Sequence, residues 1–205
     1  MQKKEEFVAV LLKYLPTAAL DYCYQLWSQY SFKLKISKER ASKLGDYRYI
    51  PSQQKHIITV NHNLNPYNFL VTYIHEVAHL VTFQQYSRNV SPHGQEWKRV
   101  FRDLMVPVLN EQVFPTSLLI TLKKHMLNPK ASSCSDNQLT LMMRKYDPPK
   151  NVVLLGDLHF GQRFVFRKRI FEKKNLKRTR VICRELNSDR NYLISKYAEV
   201  EKFSE

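Results

Sequence analysis

Residues 66–85 constrain the fold of this chain more than any other segment. Apolar side chains fill most positions in this interval and would cover nearly the whole circumference of a helix. The remaining polar residues are separated by steps of 3, 1, 3 and 3, which places them in one stripe along the helix. They are Thr72, His75, Glu76, His79 and Thr82. We therefore expect a buried helix whose polar stripe needs a partner, because unsatisfied polar groups are costly to bury.

The stripe has the spacing of a metal site. His75 and His79 are four residues apart, so both imidazoles project from one face of the helix, one turn apart. Two such nitrogens can occupy two corners of a tetrahedron around a zinc ion, at about 2.0–2.1 Å each. Glu76 is turned away from direct coordination but remains within reach of a water on the ion. This is the H-E-x-x-H arrangement, in which the glutamate is the general base.

A catalytic zinc needs a third protein ligand and an open fourth position, and His93 is the candidate ligand. Ser91 and Pro92 are predicted to be the N-cap and first residue of a second helix that ends near Val106. Apolar residues repeat at helical spacing from Trp97 onward, and His93 lies four residues earlier. His93 is therefore expected to extend the core-facing stripe of that helix by one turn.

Three imidazoles, one carboxylate and one water make up a hydrolytic site. Zinc lowers the pKa of a bound water from about 15.7 to roughly 7. Glu76 would take a proton from that water as it attacks a carbonyl and pass the proton to a leaving amine. Tyr86 is a candidate donor to the oxyanion. A structural zinc is the alternative, although such sites usually close all four positions, and manganese or iron also bind imidazole.

At these positions the sequence resembles the SprT-like family of zinc metalloproteases. The shared features are H-E-x-x-H on a helix, a third histidine about fourteen residues later within HGQEW, and a β segment before the helix. The resemblance covers roughly residues 17–108. It implies that His75, His79 and His93 bind Zn²⁺, that Glu76 is the catalytic base and that the substrates are proteins, which in a eukaryotic member are crosslinked to DNA. Many members also carry a four-cysteine zinc ribbon, for which the three cysteines of this chain are too few.

The rest of the chain is predicted to mix helices and strands. Three short strand-like runs before the long helix, of which the first and last alternate clearly, predict a small β-sheet, and further strand-like runs follow residue 151. We expect an α+β protein with three parts. A helical, zincin-like metalloprotease domain with a short β-sheet covers residues 1–128, a linker covers 129–150, and a basic antiparallel β meander covers 151–205.

The charge of the chain is strongly positive, with 33 lysines and arginines against 18 acidic residues and a net charge of +15. Such an excess favours binding to nucleic acid. The meander is predicted to have strands at 164–171, 178–186 and 191–195. If the faces of the first two coincide, five guanidinium groups would line one surface suited to a phosphate backbone. They belong to Arg167, Arg169, Arg178, Arg180 and Arg184. A solvated hairpin with a charged edge is the alternative.

The predicted compartment is the cytoplasm, with association with the nucleoid as an option. We recognise no apolar run long enough to cross a bilayer and no cleavable signal at the N-terminus. Cys23, Cys134 and Cys183 lie far apart in the sequence, which favours free thiols. The sequence does not constrain the oligomeric state.

The predicted function is zinc-dependent cleavage of peptide bonds in proteins on or near DNA. A non-catalytic nucleic-acid-binding or regulatory protein that retains the metal site is the alternative, and the intact Glu76 favours the enzyme. The other histidines are not predicted to be ligands. They are His56, His62, His125 and His159.

Overall fold

The computed structural model describes residues 2–40, 43–87, 89–130, 136–148 and 152–203. The chain divides into two compact units, Met1–Asp147 and Pro148–Glu205, each with its own cluster of buried apolar side chains. Within the described residues, the first unit contains six α-helices and a three-stranded sheet, and the second contains a six-stranded antiparallel sheet. The protein is therefore of the α+β class, as the sequence predicts.

The first unit begins with two helices, then forms its sheet, and ends with four more helices. The first two helices are α1 (Gln2–Leu11) and α2 (Leu20–Tyr30). The strands are β1 (Lys33–Ser37), β2 (Gly45–Ile50) and β3 (Lys55–Asn61). The later helices are α3 (Pro66–Tyr86), α4 (Gln95–Met105), α5 (Thr116–Leu127) and α6 (Asn137–Arg144). No helix among the described residues has the length and hydropathy needed to span a bilayer.

The three-stranded sheet has the order β1-β3-β2. The central strand, β3, pairs in parallel with β1 and antiparallel with β2, and it buries Ile58 and Val60. This order leaves β2 at an edge of the sheet, where Gly45 lies directly against Thr72 and Glu76 of α3. One edge of the sheet thus runs beside the polar stripe of the long helix.

Helix α3 is buried, as its apolar sequence predicts. The side chain of Asn65 caps it by accepting a hydrogen bond from the backbone N–H of Asn68 at 2.9 Å, and Pro66 occupies the first turn. Tyr73 is fully buried, and its hydroxyl donates to the Cys23 carbonyl of α2 at 2.8 Å. The helix that carries the polar stripe is therefore held by neighbouring elements on its other faces.

The interval 129–150, expected to be a linker, contains the ordered helix α6. Leu139 and Met143, four residues apart, face the core of the first unit and are buried there. The carbonyl of Met143 accepts a hydrogen bond from the amide of Asn65 at 2.9 Å, which ties α6 to the start of α3. Turn-forming residues on both sides of this helix concealed it in the sequence. Residues 131–135 and 149–150 of the interval lie outside the described residues.

Residues 152–203, the part of the second unit that the structure describes apart from Pro148, form six strands where the sequence predicts three. They are β4 (Val152–Leu154), β5 (Arg163–Phe166), β6 (Arg169–Lys177), β7 (Arg180–Glu185), β8 (Asn191–Ser195) and β9 (Glu199–Lys202). The run 164–171, predicted to be one strand, is a hairpin that turns at Arg167 and Lys168, whose φ angles are 52° and 64°. Two successive left-handed residues form the tight turn that matches strand twist, and neither is the glycine or asparagine that usually marks it.

Candidate metal centre

Three histidine side chains meet between α3 and the turn that precedes α4. The Nε2 atom of His75 lies 3.2 Å from the Nε2 of His79 and 3.2 Å from the Nε2 of His93. One ring nitrogen from each residue lies within 4.8 Å of the other two. In the described part of the chain, this is the one group of three or more histidine, cysteine or acidic side chains with such spacing. The structure therefore brings together the three residues that the sequence proposes as ligands.

The spacing of these nitrogens fits a shared tetrahedral cation. Bonds of about 2.0–2.1 Å at tetrahedral angles place two ligand nitrogens about 3.3 Å apart. Mutual hydrogen bonds explain the cluster less well, because one imidazole nitrogen carries either one proton or one lone pair, and His75 Nε2 faces two neighbours. Burial also favours the neutral rings that metal ligands require: it lowers the pKa of His79 to about 3 and holds that of His75 well below its usual range.

Helix α4 supplies an aromatic platform beneath the imidazoles. The ring centroid of Trp97 lies 4.6 Å from that of His75, 5.3 Å from that of His79 and 4.6 Å from that of His93. Trp97 is itself buried and stacks on Phe101, with 4.9 Å between centroids. Because one rigid ring contacts all three histidines, their orientations are fixed by packing.

His93 reaches the cluster by a route that differs from the predicted one. Helix α4 begins at Gln95 with Gly94 as its N-cap, so the prediction of an N-cap at Ser91 is wrong. His93 lies in the preceding turn with a φ of 58°, and that turn is closed by a hydrogen bond of 2.9 Å from Gly94 N–H to the Ser91 carbonyl. A left-handed residue interrupts the right-handed helical repeat, so His93 is not an extension of the apolar stripe of α4.

Glu76 lies beside the triad with its carboxylate directed toward β2. It accepts a hydrogen bond from the backbone N–H of Tyr47. A Cβ atom at Gly45 would lie 2.8 Å from Oε1 of Glu76, closer than side-chain atoms tolerate, so the glycine leaves space for the carboxylate. Burial and the nearby charge of Asp46 raise the pKa of Glu76 to about 8. A divalent cation on the histidines would oppose this shift because it favours the carboxylate.

These groups line a cleft of about 400 Å³ that includes the start of β2. A second cleft of about 270 Å³ shares Tyr47, His79 and His93 with the first. The open space around the triad therefore extends to both sides of the histidines. The contribution of β2 could not be read from the sequence, where residues 45–50 indicate only a strand.

Tyr86, the candidate oxyanion donor, lies elsewhere. It is 37% exposed and lines a different cavity together with Tyr30 and Arg99. His125, which the sequence did not single out, lines the metal cleft, and its Nδ1 lies 2.9 Å from Oδ2 of Asp136. Nothing in the spacing of the sequence connects His125 to the triad, because α5 returns to the cleft only through the packing of the first unit.

The five arginines proposed to bind nucleic acid do not share one surface. Arg167 occupies the β5–β6 turn, whereas Arg178 and Arg180 lie at the β6–β7 turn, at the other end of β6. Nine residues of strand separate these turns by about 26 Å. Arg169 pairs with Glu185 and shares the sheet face of Phe166 and Phe171, because it lies opposite the former and two residues before the latter. Arg184 lies on the opposite face and pairs with Asp189 at 3.1 Å.

The fold and the site together define a helix-borne group of three histidines that could hold a metal ion, within an H-E-x-x-H motif. The SprT-like family matches residues 17–122, more than half of the chain, and the chain belongs to this family. It is similar to Protein SprT of Vibrio parahaemolyticus serotype O3:K6 (strain RIMD 2210633), with 42% identity over 63 residues. That match covers 30% of this chain and 38% of the relative, so the chain spans less than two thirds of the relative's length. No solved structure matches the chain.

Proposed function

We propose that this chain is a zinc-dependent metallopeptidase that hydrolyses peptide bonds in proteins on or near DNA. The observation that carries the proposal is the convergence of three imidazole nitrogens and the Glu76 carboxylate in one cleft. A structural site has no need of a buried carboxylate at this position, and structural zinc is usually closed by a fourth side chain. The three-histidine set with open space beside it fits a catalytic ion.

The donor set and its surroundings fit zinc. Imidazole nitrogens are common zinc ligands, and their observed separation matches tetrahedral coordination. His75, His79 and His93 would hold the ion, and the ion would supply a water whose pKa is lowered to about 7. Glu76 is the one carboxylate that is both buried and in the cleft wall beside the histidines, among the described residues. It would take the proton of the attacking water and deliver it to the leaving amine.

The edge strand β2 supports a peptide as the substrate. An exposed strand edge presents unpaired backbone N–H and C=O groups, and an extended peptide can pair with them. The N–H of Tyr47 is bonded to Glu76, which places the outer edge of β2, with its neighbouring backbone groups, beside the proposed base. The two clefts on either side of the triad suit a chain that runs past the metal better than a small molecule held at one end.

The test of this proposal is cleavage in water labelled with oxygen-18. The zinc-loaded protein is incubated with a basic DNA-binding protein in H₂¹⁸O, with and without DNA, and the products are examined by mass spectrometry. We expect new peptide ends that carry one ¹⁸O in the new carboxyl group, more of them when DNA is present, and none after chelation until zinc is restored. Intact substrate under all conditions would favour the non-catalytic alternative.

Gly45 offers a prediction about the placement of the base. In Gly45→Ala the added Cβ must displace the Glu76 carboxylate, because it would lie 2.8 Å from Oε1 and 2.9 Å from Cγ. Small misplacements of a catalytic group are costly, so we expect kcat to fall by about 10- to 100-fold. Zinc content by elemental analysis should be unchanged, since no ligand moves. Unchanged kcat in this variant would show that the position of Glu76 is not critical.

Nucleic acid is proposed as the partner of the second unit. The net charge of +15 supports the proposal, and the β6–β7 turn concentrates part of it. Lys177, Arg178 and Arg180 are exposed around a tight turn, with Lys177 directly opposite Arg180. Such a cluster would contact phosphates without reading bases. The structure thus shifts the proposed contact from one sheet face to the end of a hairpin.

The charge cluster can be tested with two matched double variants. Arg178→Asn with Arg180→Gln removes two charges from the β6–β7 turn, and Arg167→Asn with Lys168→Asn removes two from the opposite end of β6. Asparagine tolerates the left-handed backbone at these turns. The measured quantity is the slope of the logarithm of the DNA-binding constant against the logarithm of the salt concentration. We expect the first pair of substitutions to reduce the magnitude of this slope by about 1.8, at about 0.9 per phosphate contact, and the second pair to leave it nearly unchanged. Equal effects would indicate diffuse attraction to net charge.

A further inference from the structure

A histidine–carboxylate pair lies in the wall of the metal cleft without joining the triad. His125 is near the end of α5, and its side chain is 2% exposed. Its Nδ1 lies 2.9 Å from Oδ2 of Asp136. His125 lines the same cleft as His75 and Glu76, yet it is outside the group of nitrogens that converge within 4.8 Å. It is therefore placed beside the metal position and not on it.

Asp136 is fixed in place by the start of α6. Its Oδ1 accepts hydrogen bonds of 3.2 Å from the backbone N–H groups of Gln138 and Leu139, which makes it the N-cap of that helix. Its other oxygen is left for His125. Hydrogen bonds from His125 and from the helix start hold the pKa of Asp136 below its usual range, although burial alone would raise it. The carboxylate therefore keeps its charge and assigns the Nδ1 proton of His125.

Packing alone gives little reason for such a pair. The Asp136 side chain is 23% exposed, and even fully buried ion pairs contribute little to stability. With Nδ1 held by Asp136, the ring orientation is set and Nε2 is the nitrogen available to the cleft that His125 lines. The arrangement follows the general pattern in which a carboxylate orients a histidine and stabilises its cationic form for chemistry.

We propose that His125, as an imidazolium paired with Asp136, donates a hydrogen bond from Nε2 to the carbonyl oxygen of the scissile peptide as that oxygen becomes negative. This inference rests on the proposed peptidase function. The water oxygen bonds to the carbonyl carbon while Glu76 takes one water proton, and the C=O π electrons move to the carbonyl oxygen. When they return, the C–N bond breaks and the amine nitrogen takes the proton from Glu76. His125 supplies the donor that Tyr86 cannot supply from its separate cavity.

Two substitutions at position 125 separate this role from a structural one. Asparagine places its amide near the position of Nδ1, so His125→Asn keeps a partner for Asp136 but loses the donor to the cleft. Glutamine places its amide near the position of Nε2, so His125→Gln does the reverse. If His125 donates to the oxyanion, kcat in His125→Asn falls by about 10²- to 10³-fold and His125→Gln recovers part of that loss. A structural role predicts the opposite order, with the glutamine variant more impaired.

The measurement uses the zinc-loaded full chain with kcat and KM determined separately. We expect KM to change by less than about threefold and zinc content to stay at the wild-type level, because a donor used only in the transition state acts on kcat. A peptide phosphonamidate, whose tetrahedral anion resembles the transition state, should lose affinity in His125→Asn by a factor similar to the loss in kcat/KM. Unchanged kcat and unchanged phosphonamidate affinity in that variant would overturn the inference.

Asp136→Asn provides a second route if His125→Asn does not fold. Asparagine keeps the N-cap of α6 and leaves His125 neutral, so the donor loses its charge but not its place. Charge-assisted hydrogen bonds are roughly twice as strong as neutral ones, so we expect about a tenfold lower kcat with unchanged zinc content. Unchanged kcat would again overturn the inference. If wild type cleaves and these variants cleave at the same rate, only the role of His125 is refuted. If wild type does not cleave, the proposed function is refuted.

Discussion

Replacing Glu76 with glutamine is expected to abolish cleavage while leaving the metal in place. The substitution keeps the shape of the side chain and its hydrogen bond from Tyr47 N–H, but an amide cannot take a proton from water. General base catalysis contributes about 10²- to 10⁴-fold, so kcat should fall by that factor. The measurement is the rate of peptide bond cleavage by wild type and Glu76→Gln at equal zinc occupancy.

A matched control lies on α4. Glu96→Gln makes the same chemical change in the first turn of that helix, at a residue that the sequence does not predict to be catalytic. Its kcat should stay within about twofold of wild type, because surface substitutions have small effects. Equal cleavage by wild type and Glu76→Gln would contradict the role of the glutamate. Absence of cleavage in both, with DNA still bound, would favour the non-catalytic alternative.

Removal of one imidazole is expected to eliminate the stabilisation that zinc provides. A ligand that binds only the folded state stabilises it by about 4 kcal/mol when its free concentration is 1,000 times Kd. For a chain of this size that corresponds to a rise in Tm of about 8–16 °C. We expect this rise in Tm in wild type. We expect His75→Ala to lose it, because only two of the three ligands would remain and they would bind zinc too weakly. Differential scanning fluorimetry with and without zinc measures it, and elemental analysis gives the metal content.

His62→Ala is the matched control for metal binding. His62 is exposed and lies outside the triad, so its replacement should leave both the zinc content and the rise in Tm unchanged. A wild-type protein that remains metal-free in excess zinc would refute the metal site itself. A full thermal shift in His75→Ala would show that zinc stabilises the chain through other residues.

The elements that the sequence predicts well are those whose pattern is local. Helix α3 is predicted by its apolar circumference and begins at Pro66, the first residue of the predicted interval. Strands β1 to β3 match the three short strand-like runs predicted before the long helix, of which the first and last alternate clearly. Local patterns are sufficient here because helix and strand periodicity reflect which side chains face the core.

The second unit shows where local pattern was not enough. Arg167 and Lys168 form the turn before β6, and Arg178 begins the turn after it. The first hairpin was therefore predicted as one strand, and the second turn was predicted as the start of the strand at 178–186. Turn prediction relies on glycine, asparagine and aspartate, because they tolerate left-handed backbone. Charged residues adopted that conformation at both turns because strand pairing on either side fixes it. The same error placed Arg169 on the wrong face of the sheet, since a turn reverses the alternation.

The sequence by itself determined the helix that bears His75, Glu76 and His79, because four-residue spacing on one helix is a property of the chain alone. Only the tertiary structure decided the rest of the site. His93 joins the triad through a left-handed turn, Gly45 and Tyr47 position Glu76 from the edge of a sheet, and His125 enters from a helix more than thirty residues further along. These contacts depend on how separate elements pack around one core, and spacing along the chain carries no record of that packing.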